Sequence, residues 1–306
     1  MKKEEGRGKR EKEKVQADRA TVLAQYPFRP RSVTVDGYRM SCLDEGSGPA
    51  VVMVHGNPSW SYLYRNLVTQ LKATHRCIVP DHLGCGLSDK PQDYPYRLQN
   101  HIDNLETLLD QLQVDKCVLV VHDWGGAIGM GWAGLHPDRV AGLVVLNTAA
   151  FHSNRIPFRI AVCRWPILGP LLVRGLNGFA RPAIFMAVHN KMFPEVAAGF
   201  LHPYDSWKNR VAVLRFVQDI PLQENHPSFH TLLNIEASLG RLQDKPMLLC
   251  WGGEDFCFND HFYEQWQRRF PAADNHYFPE AGHYVLEDAF AEIMALLTPF
   301  LASCDG

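Results

Sequence analysis

Val121-His122-Asp123-Trp124-Gly125-Gly126 is an apolar run that ends at an aspartate followed by glycines. The pattern predicts a strand that turns sharply into a helix, with Asp123 at the apex. In elbows of the Gly-x-Ser-x-Gly type a serine stands there and needs a base. A carboxylate is ionised at neutral pH without help. It can displace a leaving group from carbon and form an enzyme ester. Trp124 carries an indole N–H able to donate to a departing anion. The bland alternative makes Asp123 only a helix N-cap.

A nucleophile needs partners, and open α/β sheets gather them at the carboxyl ends of their strands. His283 lies in Glu280-Ala281-Gly282-His283-Tyr284, just past the last expected strand. Asp255 follows the strand before it, in Trp251-Gly252-Gly253-Glu254-Asp255. The chain order nucleophile, acid, histidine is that of α/β-hydrolase triads. Asp123 would attack carbon, His283 would activate a water against the resulting ester, and Asp255 would orient the imidazole and stabilise its cation. Glu254 and Asp260 compete with Asp255 for that role, whereas Asn147, at the end of an earlier strand, cannot serve as an acid. Backbone N–H groups of Asn57 and Trp124 would hold the oxyanion of the second step. Asn57 also reads as a turn residue before Pro58. Asp81, His82 and Asp89 read as a buttressing loop without chemistry.

The leaving group separates reaction classes. A halide needs N–H donors in a dry pocket, which the Asn57 carboxamide and the Trp124 indole supply. Epoxide opening calls for an acid, usually a pair of tyrosines, yet residues 151–245 hold one, Tyr204. A fluoroacetate-like substrate calls for an arginine beside the nucleophile, where this chain has Trp124, Gly125 and Gly126.

The elements that must position these residues follow from hydrophobic period. Apolar runs at 50–54, 76–80, 117–121, 140–146 and 246–251 predict strands, and 275–278 reads as the last one. Three- and four-residue steps through Leu98, Ile102, Leu105, Leu109 and Leu112 predict a helix; others are expected near 62–73, 126–135, 261–270 and 290–301. This βαβ alternation predicts an α/β fold with a mostly parallel central sheet and helices on both faces. It breaks over 151–242, which is helical in pattern and rich in aromatics and proline. The expected domains are a core of 21–150 and 243–306 and an inserted helical cap of 151–242. Phe151, Phe158, Trp165, Phe185, Trp207 and Phe216 are candidates to line an apolar substrate pocket in that cap; for any single one, core packing is the plainer reading. From 151 to 216 there are nine Lys/Arg against two Asp/Glu. A solvated face is the default account, with an anionic partner or membrane surface as the alternative.

The chain has 306 residues and a net charge of -2, so nucleic acid is not an expected partner. Its eight cysteines form no C-x-x-C pair, and buried thiols in a reducing cytoplasm account for them. Residues 1–20 mix eight Lys/Arg with five Asp/Glu and lack the apolar core of a signal peptide; the expectation is a disordered charged tail. No apolar run approaches a transmembrane span.

Taken together these motifs resemble the haloalkane dehalogenase family over essentially the whole chain after the tail. His55-Gly56-Asn57-Pro58 is similar to its oxyanion loop and residues 121–126 to its nucleophile elbow. The resemblance implies an α/β-hydrolase fold, Asp123 as nucleophile, His283 as base, Asp255 as acid, and Asn57 with Trp124 as the halide-binding pair. An acid after the penultimate strand resembles the third subfamily. The β-lactone decarboxylases of bacterial long-chain olefin biosynthesis share the catalytic set. They also resemble the chain at Pro203-Tyr204-Asp205-Ser206-Trp207, Gln218-Asp219-Ile220-Pro221-Leu222 and Gly282–Asp288. The leading expectation is haloalkane plus water to alcohol plus halide, on a small apolar substrate, with no metal or organic cofactor. The alternative is a lactone converted to a cis-alkene and carbon dioxide, with a homo-oligomer or a complex of pathway enzymes as possible assemblies. An epoxide hydrolase or a non-catalytic ligand-binding relative ranks below both.

Overall fold

The structure is a computed structural model and describes residues 24–304; the segment 1–20, read as a disordered tail, lies outside them. Eight strands form one sheet: β1 (Arg31–Val35), β2 (Tyr38–Glu45), β3 (Ala50–Val54), β4 (Arg76–Pro80), β5 (Cys117–Asp123), β6 (Val140–Thr148), β7 (Met247–Gly252) and β8 (Asp274–Phe278). Their order is β1-β2-β4-β3-β5-β6-β7-β8. β2 is antiparallel to both β1 and β4, and all pairs from β4 to β8 are parallel.

β5 is central and all seven of its residues are buried. Side chains alternate across a strand, so Leu119 and Val121 join one core while Val118 and Val120 join the other. The first core packs the sheet against α1 of that face, Leu98–Gln111, and against α2, Trp124–Leu135. The second packs it against Arg65–Leu71 and the closing helix Phe290–Cys304. Each buried Val or Leu contributes about 1.5–3 kcal/mol of transfer free energy. Two-sided burial is why these strands read as unbroken apolar runs. β1 and β2 were not expected, because the outermost strand, Arg31-Ser32-Val33-Thr34-Val35, is largely exposed and carries no such run.

Between β6 and β7 the described residues contain helices and loops but no strand. The helices there include Phe158–Cys163, Ala180–Met186, Pro194–Leu201, Val211–Gln218 and Phe229–Ser238. Two of the motifs noted above fasten this segment to the sheet-bearing part. The Asp219 carboxylate accepts the Leu98 backbone N–H at 2.8 Å and pairs with Arg97 at 2.8 Å, an anion at a helix N-terminus. The buried Tyr204 hydroxyl donates to the Ser59 carbonyl at 3.0 Å, and Trp60 Nε1 donates to the Gly199 carbonyl at 3.1 Å.

Candidate active site

Asp123 closes β5 with φ 52° and ψ −127°. A non-glycine residue at positive φ stores about 1–3 kcal/mol of strain and needs support. The Thr148 hydroxyl donates to the Asp123 carbonyl oxygen, so β6 holds the turn. A methyl group at Gly125 would overlap the Val54 carbonyl oxygen, and one at Gly56 would overlap the Asp123 carboxylate. Those two glycines let the helix, the strand and the Gly56-Asn57 loop close around Asp123.

The Asn57 backbone N–H donates to Asp123 Oδ1 at 2.5 Å, and the Trp124 N–H also bonds this carboxylate. Burial raises the Asp123 pKa, while His283 and these two N–H groups oppose the rise. Were Oδ2 esterified, the Asn57 N–H would face the ester carbonyl oxygen, where negative charge would develop under attack by water.

His283 Nδ1 lies 2.7 Å from Asp255 Oδ2, and its Nε2 lies 3.8 Å from Asp123 Oδ2. The second distance is too long for a hydrogen bond, so Nε2 is not committed to Asp123 and lies on its Oδ2 side. Burial pulls the His283 pKa down, but Asp255, through charge and hydrogen bond, and Asp123 lift it above the ordinary histidine value. Asp255 is buried, which pushes its pKa up; His283 and the N–H groups of Cys257 and Phe258 overcome this and hold it below the usual carboxylate range. Its competitors lie elsewhere: Glu254 pairs with His189 at 2.9 Å and Asp260 accepts from Tyr277 at 2.8 Å.

Asp123, Trp124, Asn57 and His283 open onto one cavity of about 480 Å³, within the usual range for small-molecule sites. Its wall is mostly apolar; among the described residues Arg155 and Arg159 are its only charged members besides Asp123 and His283. Asn57 Nδ2 donates to the Val213 carbonyl at 3.1 Å, which leaves its second N–H. Among the described residues no acceptor meets the Trp124 indole N–H.

The expected pocket aromatics require correction. Phe151 lines the cavity. Phe158, Trp165, Phe185 and Trp207 do not; they stand on the protein surface, Phe158 at 80% exposure. Phe216 is buried behind the wall, 5.3 Å from the Trp124 ring and stacked on His101 at 4.4 Å. The short helices between β6 and β7 turn their small or flexible residues inward, Ala183 and Met186 among them. Besides Phe151 and Trp124, the aromatics lining the cavity are Phe179, Phe256, Phe258, Phe262 and Tyr284, three of them within seven residues of Asp255 in the chain.

Residues 49–290 match the family described as alpha/beta hydrolase fold. The chain belongs to this family. A cis-3-alkyl-4-alkyloxetan-2-one decarboxylase of Shewanella oneidensis is 46% identical over 91% of this chain and 90% of its own. A haloalkane dehalogenase of Mycobacterium bovis is 31% identical over 89% of this chain and 94% of its own. Among solved structures, a haloalkane dehalogenase of Agrobacterium tumefaciens matches with a TM-score of 0.81 and 26% identity, over 90% of this chain and 97% of that one. This hydrolase is thus an enzyme homologous to both groups.

Three further residues of the hydrolase shape the site. Asn147, set aside as an acid, donates to Asp255 Oδ2 at 3.1 Å and clamps Gly252 through both ends of its carboxamide. His122 is buried beside His283, its ring 4.4 Å away. Its Nε2 lies 2.8 Å from the His283 carbonyl; a carbonyl only accepts, so Nε2 carries the proton. Burial and the neighbouring His283 lower the His122 pKa to about 3, which keeps a second cation out of the site. Phe258 stacks on the His283 ring at 5.8 Å. His122 adjoined the elbow in sequence, but nothing there tied it to a loop 161 residues onward. Asp81 accepts from the N–H groups of Ser61 and Leu87 at 2.8 and 2.9 Å, and Asp89 from Arg39 at 2.9 Å, as buttresses do.

Proposed function

We propose that this hydrolase is a β-lactone decarboxylase that uses Asp123 to open the ring of a cis-dialkyl oxetanone, releasing carbon dioxide and a cis-alkene. The observation that carries the nucleophilic step is the posture of Asp123. The Asn57 N–H holds its Oδ1, Oδ2 lies toward His283, and the residue lines the apolar cavity. The choice of a lactone is supported by the relative of that name, 46% identical against 31% for the dehalogenase.

Asp123 Oδ2 attacks the ring carbon that bears the ring oxygen, C4, and the C4–O bond breaks with inversion. A carboxylate on C3 is released from the ring. Two donors stand ready for it, the second Asn57 N–H and the Trp124 indole. That carboxylate then departs as carbon dioxide, its bonding pair forms C3=C4, and the C4–Oδ2 bond breaks to restore Asp123. Inversion followed by anti expulsion keeps both alkyl groups on one side, as a cis product requires. No water is consumed. His283 serves as the charge that holds Asp123 ionised in a buried site.

Dehalogenation is the second reading, favoured by the same Asn57–Trp124 pair and by the solved relatives. A halide leaves, and His283 then takes a proton from the water that attacks the ester carbonyl. We further propose that residues 151–242 act as a cap domain over the cavity. The free thiols of Cys42, Cys77, Cys85, Cys117, Cys163, Cys250 and Cys257 support a cytoplasmic setting.

Oxygen isotopes separate the two reactions. Hydrolysis through the ester carbonyl places an oxygen from labelled water in the Asp123 carboxylate; decarboxylation places none. The experiment offers a brominated alkane and a cis-β-lactone side by side in ¹⁸O-water and analyses products and the Asp123 peptide. Alkene formation well above bromide release, with Asp123 unlabelled by lactone turnover, is the expected result. Faster bromide release, with label in Asp123, would overturn the lactone assignment.

A further inference from the structure

Eleven large hydrophobic side chains stand exposed among the described residues, and eight of them fall between 158 and 207. They are not scattered through the tertiary structure. Phe158, Trp165, Ile167, Leu171 and Leu176 lie on one run of short helical turns. Arg159, next to Phe158, reaches Met186 Sδ at 3.6 Å, next to Phe185. Trp207 lies under Arg174, whose guanidinium is 4.7 Å from the ring centre. Phe193 opens the helix that packs on the one bearing Phe185. A contiguous apolar surface of this kind marks an interaction site.

Its charge is one-sided. Arg155, Arg159, Arg181, Lys191 and Lys208 are exposed around these side chains, and over 151–216 basic residues exceed acidic ones by seven, nine against two. Glu195 and Asp205 are the two acids. Aromatic and aliphatic tips ringed by Lys and Arg are the composition of a bilayer-interface surface.

The surface also surrounds the way into the cavity. Arg155, Arg159 and Gly178 line the cavity and are exposed, so the cavity meets solvent there. Phe158 sits between the lining residues Pro157 and Arg159, and Phe185 sits between Ala183 and Met186. The walls of the site and the exposed tips are opposite sides of the same short helices.

We infer that this face of the hydrolase docks on an anionic lipid bilayer and opens the cavity toward it. An apolar substrate would then pass from the lipid phase into the site without crossing water. The docking surface stands whichever of the two reactions the site performs. Among the described residues no helix is long and apolar enough to cross a membrane; the contact is peripheral, made by tips and charges.

The test is sedimentation of the full chain with phosphatidylcholine vesicles, with and without about one third phosphatidylglycerol. Two surface variants accompany it: Ile167→Asp with Phe193→Asp, and Arg181→Gln with Lys191→Gln. None of the four residues lines the cavity. Pelleting with anionic vesicles and release by salt are expected. Each basic residue near an anionic surface contributes roughly a fivefold affinity, so the paired Gln variant should bind more than about tenfold more weakly. The paired Asp variant should lose binding while keeping its thermal midpoint and its turnover of a short, water-soluble substrate. No pelleting at low salt would overturn the inference. Pelleting that neither variant reduces would place the contact elsewhere, such as the charged segment 1–20, and overturn it too. Self-association abolished by Ile167→Asp with Phe193→Asp, without vesicle binding, would assign the face to a second copy of the chain instead.

Discussion

Replacing Asp255 by Asn should stop the turnover of an alkyl bromide after its first chemical step. Every contact on the Asp255 carboxylate comes from a donor: His283 Nδ1 at 2.7 Å, Asn147 Nδ2 at 3.1 Å and the Cys257 N–H at 2.7 Å. An amide supplies one acceptor and one donor, so either orientation sets its NH₂ against another donor. The substitution also removes the buried negative charge that holds the His283 proton. Breaking a buried pair of this kind costs about 3–5 kcal/mol. At about 1.4 kcal/mol per decade, that is roughly 10²- to 10⁴-fold in any step that makes the imidazolium. Attack by Asp123 on an alkyl bromide makes no new imidazolium; losing the His283 charge slows it through Asp123 ionisation, but by less than the later step. The variant should therefore release a stoichiometric burst of bromide and then stall. Intact-mass analysis should show the chain heavier by the alkyl group. Steady bromide release within about threefold of the parent rate would refute the coupling between Asp255 and His283 argued from their geometry.

Asp123→Ala should abolish turnover of both a bromoalkane and a β-lactone while its urea midpoint stays at or above that of the parent, since a carboxylate whose burial raises its pKa is removed. Gly56→Ala should also abolish turnover, because its methyl meets the Asp123 carboxylate; activity within about twofold would show that the loop yields freely. His283 has a raised pKa and must be neutral to act as a base. Ester hydrolysis should therefore fall as pH drops, with a limb above the ordinary value of about 6.5. The stability signs differ by group: the His283 contribution is full below about 6.5 and lost as pH rises through its folded pKa. The Asp255 contribution is present above about 3.9 and lost as pH falls through its depressed one; urea midpoints across pH measure both. Glu287→Ala should destabilise the fold by about 3–5 kcal/mol, because Glu287 bonds Arg65 in a buried fork at 2.6 and 2.9 Å. A loss under about 1 kcal/mol in urea unfolding would show a solvated pair.

The parts of the site that are local in the chain were legible in the residues. The elbow declares itself because an apolar strand, an acid and two glycines must be neighbours for that turn to form. The strand ends after 54, 251 and 278 located Asn57, Asp255 and His283, because a parallel sheet gathers its carboxyl ends at one edge. Lone apolar residues on short helices carry no such constraint. Phe158 and Phe185 pointed outward although their type suggested a pocket, since three to eight residues hold too few turns to define a face by period. Asn147 could be read only as a failed acid; its service to Asp255, 108 residues away, exists only once β6 and β7 are paired. The cavity wall from Phe256, Phe258 and Phe262, the tautomer of His122 and the 3.8 Å between His283 and Asp123 are likewise products of packing. Local turns follow from neighbouring side chains and backbone sterics. Which distant groups share a low-dielectric space depends on how the whole chain closes, and the reactivity of this site depends on that space.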